Sequence, residues 1–429
     1  MVAIALAILW TAFSVWASKA WLNDLGAVTH PMFALIAISF IAYVPGFMNS
    51  FLLFTLLFDH RPTRAPQAHY PAVSILIAAY QEEAAIADTL ESIADQNYPG
   101  TFEVLILNDG STDGTAAIAA HAVATFGFSG NATVRIIDYP VNRGKAAVLN
   151  DGLNEAQHAL IVTLDGDSCL REDSLTQIVE RLLSDPPNTQ AVAGAVMVRN
   201  GRENLIAGAQ QWDYFHGIAA VKRMQSMYHG TLVAQGAFSI YRREALEAVG
   251  GWPDCVGEDI VLTWAMLKQD YRIGYAEDAI VFTNVPATLR QFAQQRKRWS
   301  RGLVEAINHH EGLLVKRRMT TLFIWWNLLF LPLDLVFSFI FIPGVLLATA
   351  GIFWIAGPMT LAILPLAALG NIVIYRVQNK MAKDERLKIR RNYVGLVFYL
   401  LFYSVVMQPV CVWGYASELT GRKRQWGTK

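Results

Sequence analysis

At 429 residues the chain is too long for one ordinary core, so two or more structural units are expected. Its 35 basic and 35 acidic side chains balance, which leaves no electrostatic case for nucleic acid, while 54% hydrophobic and 16% charged residues depart from soluble averages toward a membrane protein. Three cysteines, Cys169, Cys255 and Cys411, lie far apart; they offer no metal-ligand spacing or disulfide framework and fit a reducing compartment.

Residues Met1 to Ala17 are almost wholly apolar, with Trp10, Trp16 and Trp21 where aromatic anchors sit near a lipid–water boundary. A signal peptide would need a positive n-region, which is absent, so a membrane helix is the better reading. Pro31 to Phe58 carries no charged side chain over a span sufficient to cross a bilayer, with a bend expected at Pro45-Gly46. Residues 1–60 therefore read as two transmembrane helices joined by a short outer loop, Lys19 to His30. Arg61-Pro62-Thr63-Arg64 marks the exit, and its arginines place the next domain in the cytoplasm.

From Tyr70 the texture is that of a soluble α/β domain, residues 70–285. Val73 to Ala79, Val104 to Leu107, Val134 to Ile137 and Leu160 to Leu164 are short apolar strands, and helical patterns run through Ala84 to Ala94, Thr115 to Ala124 and Ala146 to Ala156. Such alternation builds a doubly wound, mostly parallel sheet, whose ligands sit beyond the carboxyl ends of the strands. Tyr80, Asp109 and the pair Asp165 and Asp167 fall at those ends. Gly166 lets the chain turn between the two carboxylates, so that both can converge on Mg²⁺ or Mn²⁺ with positions left for substrate phosphates. Asp-x-Asp is also ordinary turn chemistry, and only its place at a strand end favours the metal.

Asp109, in Asn108-Asp109-Gly110-Ser111, can accept a base N–H or a ribose hydroxyl, although such groups cap helices everywhere. Lys145, after Asn142-Arg143-Gly144, can neutralise a diphosphate or be a solvated lysine. Ala191 to Val198 is a further strand, and Gly236 to Arg243 leads from strand to helix. Trp252, in Gly250-Gly251-Trp252-Pro253, suits stacking on a sugar or packing in the core. Gly257-Glu258-Asp259 opens a helix, Ile260 to Leu267, where carboxylates are often dipole partners.

In Pro286 to Ile307, Leu289, Phe292, Trp299, Leu303 and Ile307 recur at helical spacing opposite a basic face from Gln294 to Arg301; residues 286–318 read as interfacial amphipathic helices. Gln295, Arg298 and Trp299 share one face, offering an amide, a guanidinium for a diphosphate and an indole for a pyranose. Residues 319–416 hold about three membrane segments, Leu322 to Ala350, Ile352 to Tyr375 and Tyr393 to Tyr415, with a basic cytoplasmic loop from Arg376 to Arg391. Three crossings would put the basic tail, residues 417–429 with Arg422-Lys423-Arg424, outside, against the positive-inside trend unless one segment is interfacial. Asp334, in an apolar stretch, is either a pathway residue or wet structure at the interface.

The ordered set Ala79-Tyr80-Gln81-Glu82, Asn108-Asp109-Gly110-Ser111, Asn142-x-Gly144-Lys145-Ala146, Asp165-Gly166-Asp167, Gly257-Glu258-Asp259 and Gln295-x-x-Arg298-Trp299 resembles the processive family 2 glycosyltransferases. These membrane synthases make cellulose, chitin, hyaluronan and poly-β-1,6-N-acetylglucosamine, and the local wording is most similar to the last group. The resemblance implies a GT-A type sheet between N- and C-terminal transmembrane helices, in a bacterial-type plasma membrane with the catalytic domain cytoplasmic. It implies an inverting enzyme that polymerises a UDP-sugar, with UDP-N-acetylglucosamine as the best guess, and passes the product outward. Asp109 would hold the uridine, Asp167 and Asp165 the metal, and Lys145 the phosphates. Asp259 would be the general base, with Glu258 beside it; Gln295 and Arg298 would clamp the diphosphate, Trp299 would stack on the acceptor, and Tyr80 and Glu82 would complete the substrate site. Its partners would be the UDP-sugar, the growing polysaccharide and the bilayer, with room for a small membrane subunit. Gln81 and Asn108 depart from the family's usual Asn and Asp and put the fine nucleotide contacts in question. The alternatives are a non-processive transferase acting on a lipid or short oligosaccharide, a hyaluronan-, chitin- or cellulose-type synthase, or a catalytically silent subunit.

Overall fold

The computed structural model describes residues 2–59, 64, 66–128, 130–228, 230–382 and 392–421. The exit signal at residues 61–63, the basic loop at 383–391 and the tail from Arg422 lie outside the described residues.

Strands β1 (Val73–Ala79), β2 (Phe102–Asn108), β3 (Ala132–Asp138), β4 (Leu160–Asp165), β5 (Ser168–Leu170), β6 (Thr189–Val198), β7 (Phe238–Arg242) and β8 (Arg272–Thr283) form one sheet in the order β3-β2-β1-β4-β7-β6-β8-β5. The first four are parallel neighbours, as their alternation with helices dictates, and β6 pairs parallel with β8. β7 runs antiparallel to both β4 and β6, and β5 antiparallel to β8. The architecture is a GT-A-like mixed sheet, mostly parallel. Central strands are apolar on both faces because helices cover both: Ile75 and Ile77 face one buried cluster, Leu76 the other. β3, at the edge, has only exposed and half-buried residues.

Register decides what the sheet presents at its functional edge. Ala79 pairs with Asn108 and Ala78 with Asp165, so β1, β2 and β4 end together. Because β7 is antiparallel, its first residue, Phe238, pairs with Leu164 and brings Gly236 and Ala237 to the same edge. β8 ends there too, with Thr283 opposite Val198 and Ser168.

The Glu258–Lys268 helix starts at this edge, and the Leu289–His309 helix, entered through a Thr288 cap on the Gln291 N–H, crosses it. The two meet at Gly257 and Gly302: a Cβ on Gly257 would lie 2.5 Å from the Gly302 Cα, and one on Gly302 would lie 2.9 Å from the Gly257 Cα. Buried Glu305 reinforces the contact by accepting the Gly257 N–H at 2.9 Å. Of the expected apolar face, Phe292 is buried and Leu303 and Ile307 pack against the core, but Leu289 and Trp299 stay exposed and polar residues are buried beside them. Leu289 and Trp299 are 54% and 38% exposed, whereas Gln295, Arg296, Arg301 and Glu305 are buried with Phe292 and Val304. The reason is its neighbour: the last helix, Ser404–Leu419, lays Glu418 against Arg301 at 2.8 Å, and Gly414 leaves space for Ser300.

Three helices among the described residues, Pro31–Leu57, Met319–Thr349 and Tyr393–Leu419, are long and apolar enough to cross a membrane; the bent pair Val2–Ala17 and Lys19–Val28 makes a fourth if it is one span. The segment from Lys19 expected as a loop is thus a helix, turned by 52° at Ser18, where the Ser18 hydroxyl meets the Tyr43 hydroxyl at 2.6 Å. Pro45-Gly46 lies inside a continuous helix, because Pro45 sits just after a π-helical turn, Ser39–Tyr43, where backbone pairing is already shifted. Residues Pro358–Ala382 form a further helix with Pro365 inside it. Asp334 is only 4% exposed and accepts the Tyr415 hydroxyl at 2.8 Å. β5, β8, the Ser174–Ser184 helix and a helix over residues 205–227 with a π-helical middle add to the elements expected from the sequence.

Gly302→Val would push the two helix backbones apart. The expected result is a loss of about 1–3 kcal/mol of stability, as for an overpacked core. It would be read as a lowered melting temperature of the purified protein, with Gly312→Val, in open space, unchanged.

Candidate active site

The site is assembled from the strand ends outward. At the end of β2, Asp109 is 3% exposed, and its two carboxylate oxygens accept the N–H groups of Arg143 at 2.7 Å and Gly144 at 2.9 Å. Gly110 follows with φ +65 and approaches the Val141–Asn142 backbone so closely that a Cβ would fall 2.4 Å from the Val141 carbonyl carbon. Asp109 therefore fixes the loop from which the Lys145–Glu155 helix departs, and through it the place of Lys145.

The Lys145 ammonium reaches the Asp165 carboxylate directly and stands 3.7 Å from Glu258 Oε1. Burial opposes its charge, but Asp165 and Glu258, then Asp259, outweigh that and raise its pKa. Glu258 is 7% exposed; burial pushes its carboxyl up to about 7, Asp259 adds to the rise, and Lys145 and Arg298 oppose it. Asp259 turns one oxygen to the Ile260 N–H at 2.7 Å and the other toward the Gly236 N–H at 3.4 Å. The Gly236 backbone is wedged among these groups: a Cβ there would lie 2.6 Å from the Lys145 Nζ and 3.7 Å from Glu258.

Asp167 is half-buried, with its Oδ1 near the hydroxyls of Ser168 at 3.5 Å and Thr283 at 3.4 Å. Gly166 is held by the Thr89 hydroxyl on its carbonyl, and the Glu82 Cγ is 3.2 Å from where a Gly166 Cβ would sit. Tyr80 is 47% exposed at the end of β1. From the crossing helix, Arg298 acts electrostatically on Glu258 and on Tyr214, and Tyr214 is also influenced by Asp167. Burial pushes the Tyr214 hydroxyl up to about 12. Gln295 is 9% exposed with its carbonyl oxygen unpaired, and Trp299 packs 6.1 Å from Tyr214.

Asp165 at the end of β4, the cations Lys145 and Arg298, and the carboxylates of Glu258 and Asp259 thus share one neighbourhood, and Asp167, two residues beyond, is linked to it through Tyr214. Trp252 does not join them: it is 3% exposed, packs edge-on against Tyr241 and is gripped by Asn150 at both its backbone N–H and carbonyl. The two unusual residues have structural partners. Gln81, at φ +57, uses its side-chain oxygen to accept from Thr112 and Asp113, and its amide donates to the Thr112 hydroxyl. Asn108 donates to Asp138 and accepts from the Ser111 hydroxyl.

Residues 74–250 match the model of the family described as Glycosyl transferase family 2. The chain is 28% identical to the poly-beta-1,6-N-acetyl-D-glucosamine synthase of Staphylococcus epidermidis over 363 residues, 83% of this chain and 86% of that protein. Against the synthase of the same name from Staphylococcus aureus (strain COL) it is 31% identical over 231 residues, 54% of each chain. The chain is a glycosyltransferase that carries a family 2 domain. Among solved structures, the mannosyltransferase PcManGT of Pyrobaculum calidifontis, in complex with GDP-Man and Mn²⁺, shares the fold with a TM-score of 0.61 at 20% identity, over 91% of this chain and 99% of that one.

Several residues of this glycosyltransferase's site carried no separate signal in the sequence. Gly236 and Thr283 arrive through the antiparallel β7 and the long β8, whose pairing no local pattern announces. Tyr214 lies on a helix whose periodicity is broken by its π-helical turn. Glu305 was legible only as one more polar residue of an amphipathic helix. No group of three or more His, Cys, Asp or Glu side chains able to hold a metal occurs among the described residues. Two half-buried carboxylates one residue apart still fit Mg²⁺ or Mn²⁺, ions commonly held by one or two carboxylates with the remaining positions left to phosphate oxygens and water.

Glu258 gives the site a measurable signature. Its folded pKa lies above the unfolded value, so the folded state holds its proton more tightly, and wild-type stability falls as pH rises through the interval up to about 7. Glu258→Gln removes that titration, so the melting temperature of the variant should gain on wild type as pH is raised from about 5 to about 8. A constant difference across that range would contradict the burial account.

Proposed function

We propose that this glycosyltransferase is a membrane-embedded, processive, inverting synthase that transfers sugar from a UDP-sugar, best UDP-N-acetylglucosamine, to the end of a β-linked polysaccharide and moves the product through its membrane helices. The catalytic domain faces the cytoplasm, where UDP-sugars are made. The observation that carries this reading is the gathering of Lys145, Asp165, Glu258, Asp259 and Arg298 at one sheet edge, with the part-exposed indole of Trp299 on the same helix face as Arg298. The staphylococcal relatives supply the choice of sugar.

In this reading the Asp259 carboxylate accepts the proton of the acceptor hydroxyl as its oxygen forms a bond to the anomeric carbon. The bond from that carbon to the diphosphate oxygen breaks on the opposite face, and UDP leaves with the electron pair. Arg298 and Gln295 receive the diphosphate from one side and Lys145 from the other; Lys145, held by Asp165 in the free enzyme, needs only to turn from carboxylate to phosphate. Asp165 and Asp167 would hold Mg²⁺ or Mn²⁺, which when bound offsets the charge of the departing diphosphate. Asp109 is already engaged with the Arg143 and Gly144 N–H groups, so its contact with uridine would use the lone pairs those bonds leave. Trp299 offers its open surface to the acceptor sugar.

Asp259→Asn removes the base and should lower polymer formation by about 10²- to 10⁴-fold, with UDP affinity within about twofold of wild type. Radiolabel incorporation from a panel of UDP-sugars in membrane vesicles, with sizing and linkage-specific digestion, checks the remainder. Long product from UDP-N-acetylglucosamine supports the proposal. Single transfers to lipid or short acceptors would instead indicate a non-processive transferase.

A further inference from the structure

Beneath Trp299 lies a buried charge pair for which the proposed reaction has no use. Arg296 is 5% exposed, and its guanidinium carbon sits 4.2 Å from the Trp299 ring centroid, 5.2 Å from that of Phe292 and 5.6 Å from that of Tyr403. Its Nη2 stands 2.8 Å from the Asp213 Oδ2, an ionic contact without the alignment of a hydrogen bond. Asp213 is the last α-helical residue before the π-helical turn Tyr214–Ala220, and Tyr214, next in the chain, packs on Trp299. Tyr403 closes another such turn, Tyr399–Tyr403, in the membrane helix Tyr393–Leu419. Two irregular turns thus bring side chains to one arginine, and the Tyr403 hydroxyl also interacts with the Asp213 carboxylate.

A buried pair of this kind is poor at adding stability, because desolvation offsets most of the attraction. It is good at fixing geometry, since a planar cation stacked on an indole restricts the ring. We propose that Arg296, held by Asp213, is a positioning residue that sets the Trp299 indole as the acceptor platform and, through Tyr403, ties that platform to the last membrane helix. Arg296 covers part of the ring and leaves the remaining 38% exposure for a sugar. The inference rests on the polymerase reading, because the acceptor is the polysaccharide end.

The test uses full-length protein in lipid nanodiscs, with UDP binding, acceptor KM for an N-acetylglucosamine oligomer, and product length measured together. Arg296→Met alone would strand the Asp213 charge, so the decisive variant is Asp213→Asn with Arg296→Met. Its acceptor KM should rise about tenfold and its products shorten, while UDP affinity stays within about twofold and kcat at saturating acceptor falls far less. The milder Arg296→Lys keeps the charge without the flat fork and should raise acceptor KM about threefold. Unchanged acceptor KM and product length in both variants would overturn the proposal, as would UDP affinity and acceptor KM worsening in parallel in both, the mark of a merely structural role. Absence of polymer from the wild-type protein would instead overturn the polymerase reading itself.

Discussion

The site depends on a backbone contact without side chains. Gly257, immediately before Glu258 and Asp259, and Gly302, one turn beyond Arg298 and Trp299, lie so close that neither tolerates a Cβ. Glu305 closes the contact by taking the Gly257 N–H. Since the peptide at Gly257 is the start of one helix and Gly302 is inside another, the carboxylates of the first and the guanidinium of the second are set at fixed separation by main chain. Flexible side chains alone would leave that distance to thermal motion.

From this contact the remaining charges take their places. Glu258, buried beside Asp259, is pushed toward neutrality, and Lys145 and Arg298 counter that push from two different elements. Lys145 itself is placed by Asp109 through the Arg143–Gly144 backbone, so a residue at the end of β2 governs a cation standing over the end of β4. The same crossing helix continues the chain of constraint into the membrane part, where Arg301 pairs with Glu418 and Lys297 lies 3.9 Å from the Trp413 ring centroid. The sheet edge and the last helix are therefore both in contact with this one helix.

Much of this was legible in the residues, and the misses have physical causes. β1, β2, β3 and β4 announce themselves as short apolar runs between helical patterns, and parallel order then places Tyr80, Asp109 and Asp165 at one edge. In the second half β6 and β7 were legible as strands, but β5 and β8 were not, and because β7 reverses direction and β8 is long and partly polar their pairing is decided by tertiary contact. The Leu289–His309 helix was correctly placed by period, and Phe292, Leu303 and Ile307 do meet the core, but the burial of Gln295, Arg296, Arg301 and Glu305 was not legible, since their partners are distant in sequence. Trp252 shows the reverse case: a turn tryptophan with two possible fates, settled by Asn150 holding its backbone in the core.

In the proposed reaction, nucleotide phosphates lie between the Asp165 and Asp167 turn and the Arg298 helix face, with Asp259 beyond them. The most direct measurement is an experimental density map of the protein in a lipid nanodisc with UDP and Mn²⁺. Ion density beside Asp167, the diphosphate within hydrogen-bonding reach of Arg298 and Lys145, and Trp299 bordering the adjacent open space are the expected result. A diphosphate bound out of reach of Arg298, or an ion held away from both aspartates, would contradict it.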